Sequence, residues 1–276
     1  MRRFLVLLTV SVLVAGLALP TAAAASNRPV EYLALGDSLA FGFNPYVDWA
    51  DADNFVGYPN FVAESLRDTL TNAACPGETS SHFIDLNGVD RGCGDFRYVF
   101  PLHVEYGGAQ LAFADAFLAA HPKTRLVTID IGANDVSNLR DGCGGVPTCI
   151  LGGLPAVLAK LSANLDTIYG HLRTVDGYHH KLVALTIYST DYADPALTGV
   201  VMALNNVVAA RTLAWGGIVA DGFGAWASAA APYGGDTCAA GLRIVTSTSP
   251  VICDDHPAAA GHRLLAQAIV QALRTD

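Results

Sequence analysis

Three short stretches carry side chains able to do covalent chemistry. Gly36-Asp37-Ser38-Leu39 offers a hydroxyl, Gly132-Ala133-Asn134-Asp135 an amide and Asp254-Asp255-His256-Pro257 an imidazole. A serine hydroxyl becomes a nucleophile when a histidine takes its proton, and an amide N–H can stabilise the oxyanion that then forms. Each residue also has a plainer use. Ser38 can cap a helix, Asn134 can close an Asx turn and a histidine can simply pack. Which use holds depends on whether the chain brings the three together.

The elements around them answer in part. Val30–Leu35, Leu126–Ile131 and Lys181–Tyr188 read as strands, with shorter ones expected at Gly217–Ala220 and Thr69–Ala73. Helical patterns lie between them at Pro59–Leu66, Gly108–Ala120, Pro195–Leu213 and Pro257–Leu273. Leu154, Leu158, Leu161, Leu165, Ile168 and Leu172 form the apolar stripe of a long helix. Gly88–Tyr106 has little periodicity and reads as a long surface loop. Strands alternating with helices imply parallel pairing in an α/β layered fold of one domain. Ligands of such sheets bind beyond the carboxyl ends of the strands, where Ser38 and Asn134 fall. His256 precedes a proline, which disfavours helical backbone at His256 and can itself open the last helix.

The ordered set GDSL, GAND and D-x-H-P resembles the SGNH, or GDSL, hydrolases. The resemblance runs from Gly36 to His256, with Gly77 in Cys75-Pro76-Gly77-Glu78-Thr79 matching the glycine of the second block. It implies a three-layer α/β/α, flavodoxin-like fold with a doubly wound parallel sheet of about five strands. It also implies hydrolysis of carboxylic esters without a metal or other cofactor. Ser38 is then the nucleophile and His256 the base. The backbone N–H groups of Ser38 and Gly77 and the amide of Asn134 form the oxyanion hole. The α/β-hydrolase elbow G-x-S-x-G is absent.

The third catalytic member departs from the family pattern. The position three before the histidine is Cys253. Asp254, two before it, shares a side with His256 in an extended segment, whereas Asp255 points away. The alternative is a Ser–His dyad oriented by a main-chain carbonyl such as that of Cys253. Asp37 and Asp135 read as a loop brace and a helix cap, Gly42 as a point of close chain passage and His262 as packing. Phe41, Phe43, Tyr46, Trp49 and Phe55 can line an acyl pocket or fill the core. Asp48, Asp51 and Asp53 read as a solvated loop rather than a calcium site, lacking that motif's Gly and Glu.

Composition bounds the rest. The 276 residues carry 25 acidic groups against 16 Lys+Arg, a formal charge of −9, which argues against a nucleic-acid partner. Arg2 and Arg3, the apolar run Phe4–Leu19, Pro20 and Ala23–Ala25 read as a secretory signal peptide. Cleavage after Ala25 removes two arginines and leaves 251 residues with a charge of −11. No later apolar run reaches transmembrane length. Six cysteines in an exported chain favour disulfides; 15 pairings are open, and neighbours give Cys75–Cys93, Cys143–Cys149 and Cys238–Cys253. No C-x-x-C occurs, and His179-His180 lacks a ligand partner, so no structural metal is expected.

The reading is a secreted esterase or lipase, expected to be a monomer, acting on a small-molecule or lipid ester. A glycan deacetylase or acyltransferase on the same fold is the alternative. A non-catalytic exported binding module is disfavoured by the presence of Ser38, Gly77, Asn134 and His256 together.

Overall fold

The computed structural model describes residues 30–275, so the leader segment lies outside the described residues. Among the described residues seven strands are formed: β1 Glu31–Gly36, β2 Thr69–Asn72, β3 Leu126–Asp130, β4 Lys181–Leu185, β5 Ile218–Ala220, β6 Arg243–Thr248 and β7 Val251–Pro257. The first helices are α1 Ser38–Phe41, α2 Tyr58–Leu66, α3 Ser80–Ile84, α4 Cys93–Val99 and α5 Gln110–Ala120. They are followed by α6 Ala133–Gly142, α7 Pro147–Gly170, α8 Pro195–Ala214, α9 Gly222–Ala230 and α10 Ala259–Thr275.

Strands β1 to β5 pair in parallel in the order β2-β1-β3-β4-β5. This is the flavodoxin-like doubly wound order, whose switch point lies between β1 and β3. Helix α10 packs against α2 and α9 in one layer, while α7 packs against α3, α6 and α8 in the other. Beyond their first residues, Glu31 and Lys181, the central strands β1, β3 and β4 are buried, as a sheet covered on both faces requires: Leu33, Ala34, Val127, Leu182 and Val183 are fully enclosed. The three-layer α/β/α architecture expected from the sequence is the one observed.

Three local expectations are corrected. Gly88–Tyr106 is not all loop: α4 occupies Cys93–Val99, with only Cys93 and Phe96 buried, too short a helix to leave a periodic signal. Pro257 does not open the last helix. It ends β7, because the antiparallel β6–β7 ladder pairs it with Arg243, and α10 starts at Ala259. Finally, α7 and α8 are long and apolar enough, by length and composition, to cross a membrane. The glycines, prolines and polar residues within them break the plain apolar runs. Both helices nevertheless join the main core, through Leu161, Leu165 and Ile168 and through Leu204 and Val208.

Three disulfides link Cys75–Cys93, Cys143–Cys149 and Cys238–Cys253, each with its Cα atoms 5.5–5.8 Å apart. The first joins the loop after β2 to α4, the second closes the turn between α6 and α7, and the third ties β7 to the segment before β6.

Candidate active site

Ser38 leaves the carboxyl end of β1 as the first residue of α1. The cap of that helix is Asp37, whose Oδ1 accepts from the Leu39 N–H at 3.0 Å, so the Ser38 hydroxyl is not spent on capping. Gly42 follows with φ +84, and a side chain there would collide with the backbone of Val56 and Gly57. The chain turns back sharply and leaves Ser38 half-buried at a lip.

His256 arrives from the far end of the sequence on β7. Its Nε2 lies 2.9 Å from Ser38 Oγ and its Nδ1 lies 2.5 Å from Asp254 Oδ1. The same carboxylate oxygen accepts the His256 backbone N–H at 2.9 Å, so Asp254 is fixed on the backbone it serves. Its hydrogen bonds with His256 hold Asp254 below the usual carboxylate range. Asp255 points elsewhere, toward Arg243 at 3.4 Å and Arg140 at 3.9 Å. The Cys253 carbonyl, the alternative orienter of the imidazole, accepts instead from Arg243 Nη2 at 2.9 Å.

Gly77 and Asn134 complete the constellation from the neighbouring loops. Gly77 adopts φ +83 in the turn after β2, and a Cβ there would stand 2.7 Å from the Arg91 carbonyl oxygen. Among the described residues, neither the Ser38 nor the Gly77 backbone N–H donates to a protein acceptor. Asn134 sits in the first turn of α6 at the end of β3. Its Nδ2 donates to the Glu78 carbonyl at 2.9 Å and to Asp37 Oδ2 at 3.3 Å, so both of its N–H groups are engaged. Asp135 holds the two loops together by accepting from Ser80 N at 2.9 Å and Ser80 Oγ at 2.5 Å. An attacking hydroxyl, a base with an anionic partner and two unspent backbone N–H donors therefore share one lip, an arrangement able to catalyse acyl transfer.

Several supporting residues carry no motif and were missed in the sequence. Arg243 grips the main chain beside His256, donating to the carbonyls of Cys253 and Asp254. The Tyr188 hydroxyl donates to the Asp255 carbonyl at 2.5 Å. Asp130, at the end of β3, is buried beneath Asp37; its Oδ1 accepts from Tyr58 at 2.8 Å. Burial and the neighbouring Asp37 push Asp130 well above the carboxylate range. Gln110 reads both the N–H and the C=O of Gly36, at 2.6 and 3.0 Å. Of these, Asp130 alone left a signal, as the polar residue that closes the apolar strand Leu126–Asp130.

The aromatic segment does not line the site cavity. Phe41 and Phe55 are fully buried and pack with Phe96, while Trp49 packs on Phe100 and Tyr46 is largely exposed. Phe43 alone approaches the chemistry, its ring 4.9 Å from that of His256. The cavity beside Ser38, Asn134 and His256, about 420 Å³, is instead walled by Val136, Ile150, Leu151, Leu197, Val200 and Val201. His262 is buried in α10, and its burial pushes it down to about 3. Asp48 and Asp51 accept from their own loop's N–H groups, in a solvated turn. The clustered groups Glu78, His82 and Asp90 lie together, with a 2.6 Å bond between Glu78 and His82 Nδ1.

Comparison with known proteins gives one family and a consistent set of folds. Residues 34–264 match the GDSL-like Lipase/Acylhydrolase family. No match is found among curated proteins. Phospholipase A1 from Streptomyces albidoflavus NA297 is similar in structure, with 19% identity and a TM-score of 0.58 over 89% of this chain and 100% of that one. The extracellular lipase from Streptomyces rimosus shares 20% identity, with a TM-score of 0.53 over 88% of this chain and 99% of that one. The acetylxylan esterase Axe2 from Geobacillus stearothermophilus shares 17% identity, with a TM-score of 0.54 over 88% and 94%. At such identities the solved structures speak for the fold, and the family match over most of the chain speaks for descent. The chain belongs to the GDSL-like lipase/acylhydrolase family, whose members hydrolyse esters.

Proposed function

We propose that this protein is an exported esterase or lipase that works through a Ser38 acyl-enzyme. The observation that supports this most is the continuous 2.9 and 2.5 Å chain from Ser38 Oγ through His256 to Asp254. In this reading His256 Nε2 takes the Ser38 proton as Oγ attacks the ester carbonyl. The oxyanion is received by the Ser38 and Gly77 N–H groups and by the Asn134 amide, which turns the N–H it gives to Asp37 toward the substrate. The imidazolium then gives its proton to the departing alkoxide, and the carbonyl re-forms as the acyl-enzyme. Water, deprotonated by His256, repeats the sequence and releases the acid. Asp254 stays ionised, accepts from Nδ1–H and steadies the imidazolium.

The apolar cavity favours an acyl chain over an acetylated sugar as the group held beside Ser38. Residues 1–25 act as a leader that takes the chain out of the cell, where the three disulfides persist. The test compares wild type with Ser38→Ala on p-nitrophenyl esters of rising chain length and on an acetylated glycan. The expected result is a fall on the order of 10⁶ in kcat for the variant, with wild type preferring acyl chains over the glycan. Equal activity of the two proteins would remove the nucleophile assignment.

A further inference from the structure

Helix α7 presents an unusual outer face. From Gly142 to Ala159 the sequence has 18 residues without Asp, Glu, Lys, Arg or His, and α8 has 16 more from Pro195 to Ala210. A surface helix normally turns charge toward water. Here Pro147, Gly152, Pro155, Ala156 and Ala159 are exposed, Val146 is 50% exposed and Leu151 57%. Contiguous exposed apolar surface of this kind marks an interaction site.

The patch is placed by the site cavity. Pro147, Leu151 and Ala196 are solvent-exposed and also line the cavity that holds Ser38 and His256. The mouth therefore opens through the apolar surface. The charges around it are already matched: Arg91 and Arg140 both bond Asp141, Arg140 also faces Asp255, and Asp194 caps α8 through the N–H groups of Ala196 and Leu197. With a chain of net charge −9, an anionic surface finds little to attract it. The Cys143–Cys149 bridge closes the turn before α7, so the patch is held in shape before anything docks.

We infer that the α6–α7 turn and the first turns of α7 seat the protein on the surface of an uncharged or zwitterionic lipid aggregate. An acyl chain leaving that surface enters the cavity between α6, α7 and α8 and brings its ester to Ser38. This rests on the hydrolase reading above, but the docking step needs no catalysis and is measured without it.

The experiment uses the Ser38→Ala protein and flotation with phosphatidylcholine vesicles, with and without added phosphatidylglycerol. Val146→Asp and Thr148→Asp are introduced together. Val146 is the N-cap of α7 and Thr148 lies in its first turn, where aspartate suits a helix, so the variant is expected to fold. Neither residue lines the cavity. Val175→Asp, an equally simple change beyond the other end of α7, is the control. The expected result is binding to phosphatidylcholine that survives high salt, is not strengthened by phosphatidylglycerol and falls at least tenfold in the double variant only. In the Ser38-bearing protein the double variant is expected to keep its rate on a monomeric short-chain ester and lose at least tenfold on the same ester presented in micelles. Three results would overturn the proposal: no vesicle binding, binding unchanged by the double substitution, or a dimer that the substitution splits while vesicle binding persists. Absence of vesicle binding by the protein without the double substitution, with soluble-ester hydrolysis intact in the Ser38-bearing protein, refutes the surface alone, whereas a fully active Ser38→Ala protein refutes the hydrolase reading.

Discussion

Ser38 is set apart from its neighbours by what it is not asked to do. Asp37 caps α1, so the serine hydroxyl meets only His256 Nε2, at 2.9 Å. The division of labour between the next two carboxylates is equally specific. Asp254 reaches the imidazole and the His256 N–H with one oxygen, while Asp255 turns to Arg243 and Arg140. Asp254→Ala is therefore expected to lower kcat by on the order of 10⁴, and Asp255→Ala by less than about tenfold, in steady-state assays on one soluble ester. Equal, small losses would favour a dyad. The i, i+2 relation of Asp254 to His256 was legible from the proline that keeps this segment extended. The occupation of the Cys253 carbonyl by Arg243 was not, because Arg243 lies ten residues away across a hairpin turn.

At the scale of elements, the strands that carry Ser38 and Asn134 were legible because they are buried on both sides and read as unbroken apolar runs. The β6–β7 hairpin that carries His256 was not. It lies outside the main sheet, and its exposure alternates irregularly across two register shifts. The aromatic segment after Ser38 was equally ambiguous, since rings that fill a core and rings that line a pocket look alike in sequence. The end of β3 hides a further consequence. Burial and Asp37 hold Asp130 above the carboxylate range, so its raised value contributes stability that is present below the ordinary carboxylate range and lost as pH climbs toward that raised value. Asparagine keeps an acceptor for Tyr58 and an N–H for Asp37 without that loss. Asp130→Asn is expected to melt higher than wild type by a margin that grows between pH 4 and pH 8, at about 2–4 °C per kcal/mol for a chain of this size. Thermal melts at both pH values check it, and a margin that shrinks with rising pH would contradict the upward shift of Asp130.

Across the whole molecule, residues separated by 218 positions in sequence meet because the β1–β3 switch point gathers the loops of the sheet at one edge and β7 folds back over it. The acidic composition and the apolar cavity agree in favouring an uncharged ester over a polyanion. The covalent role of Ser38 is the claim on which the rest stands, and intact-mass spectrometry after exposure to a fluorophosphonate tests it most directly. The expected result is a single adduct, mapped to Ser38 by peptide analysis, with complete loss of ester hydrolysis and no adduct on Ser38→Ala. Hydrolysis that survives full exposure without an adduct, or an adduct on another residue that tracks the loss of activity, would contradict it.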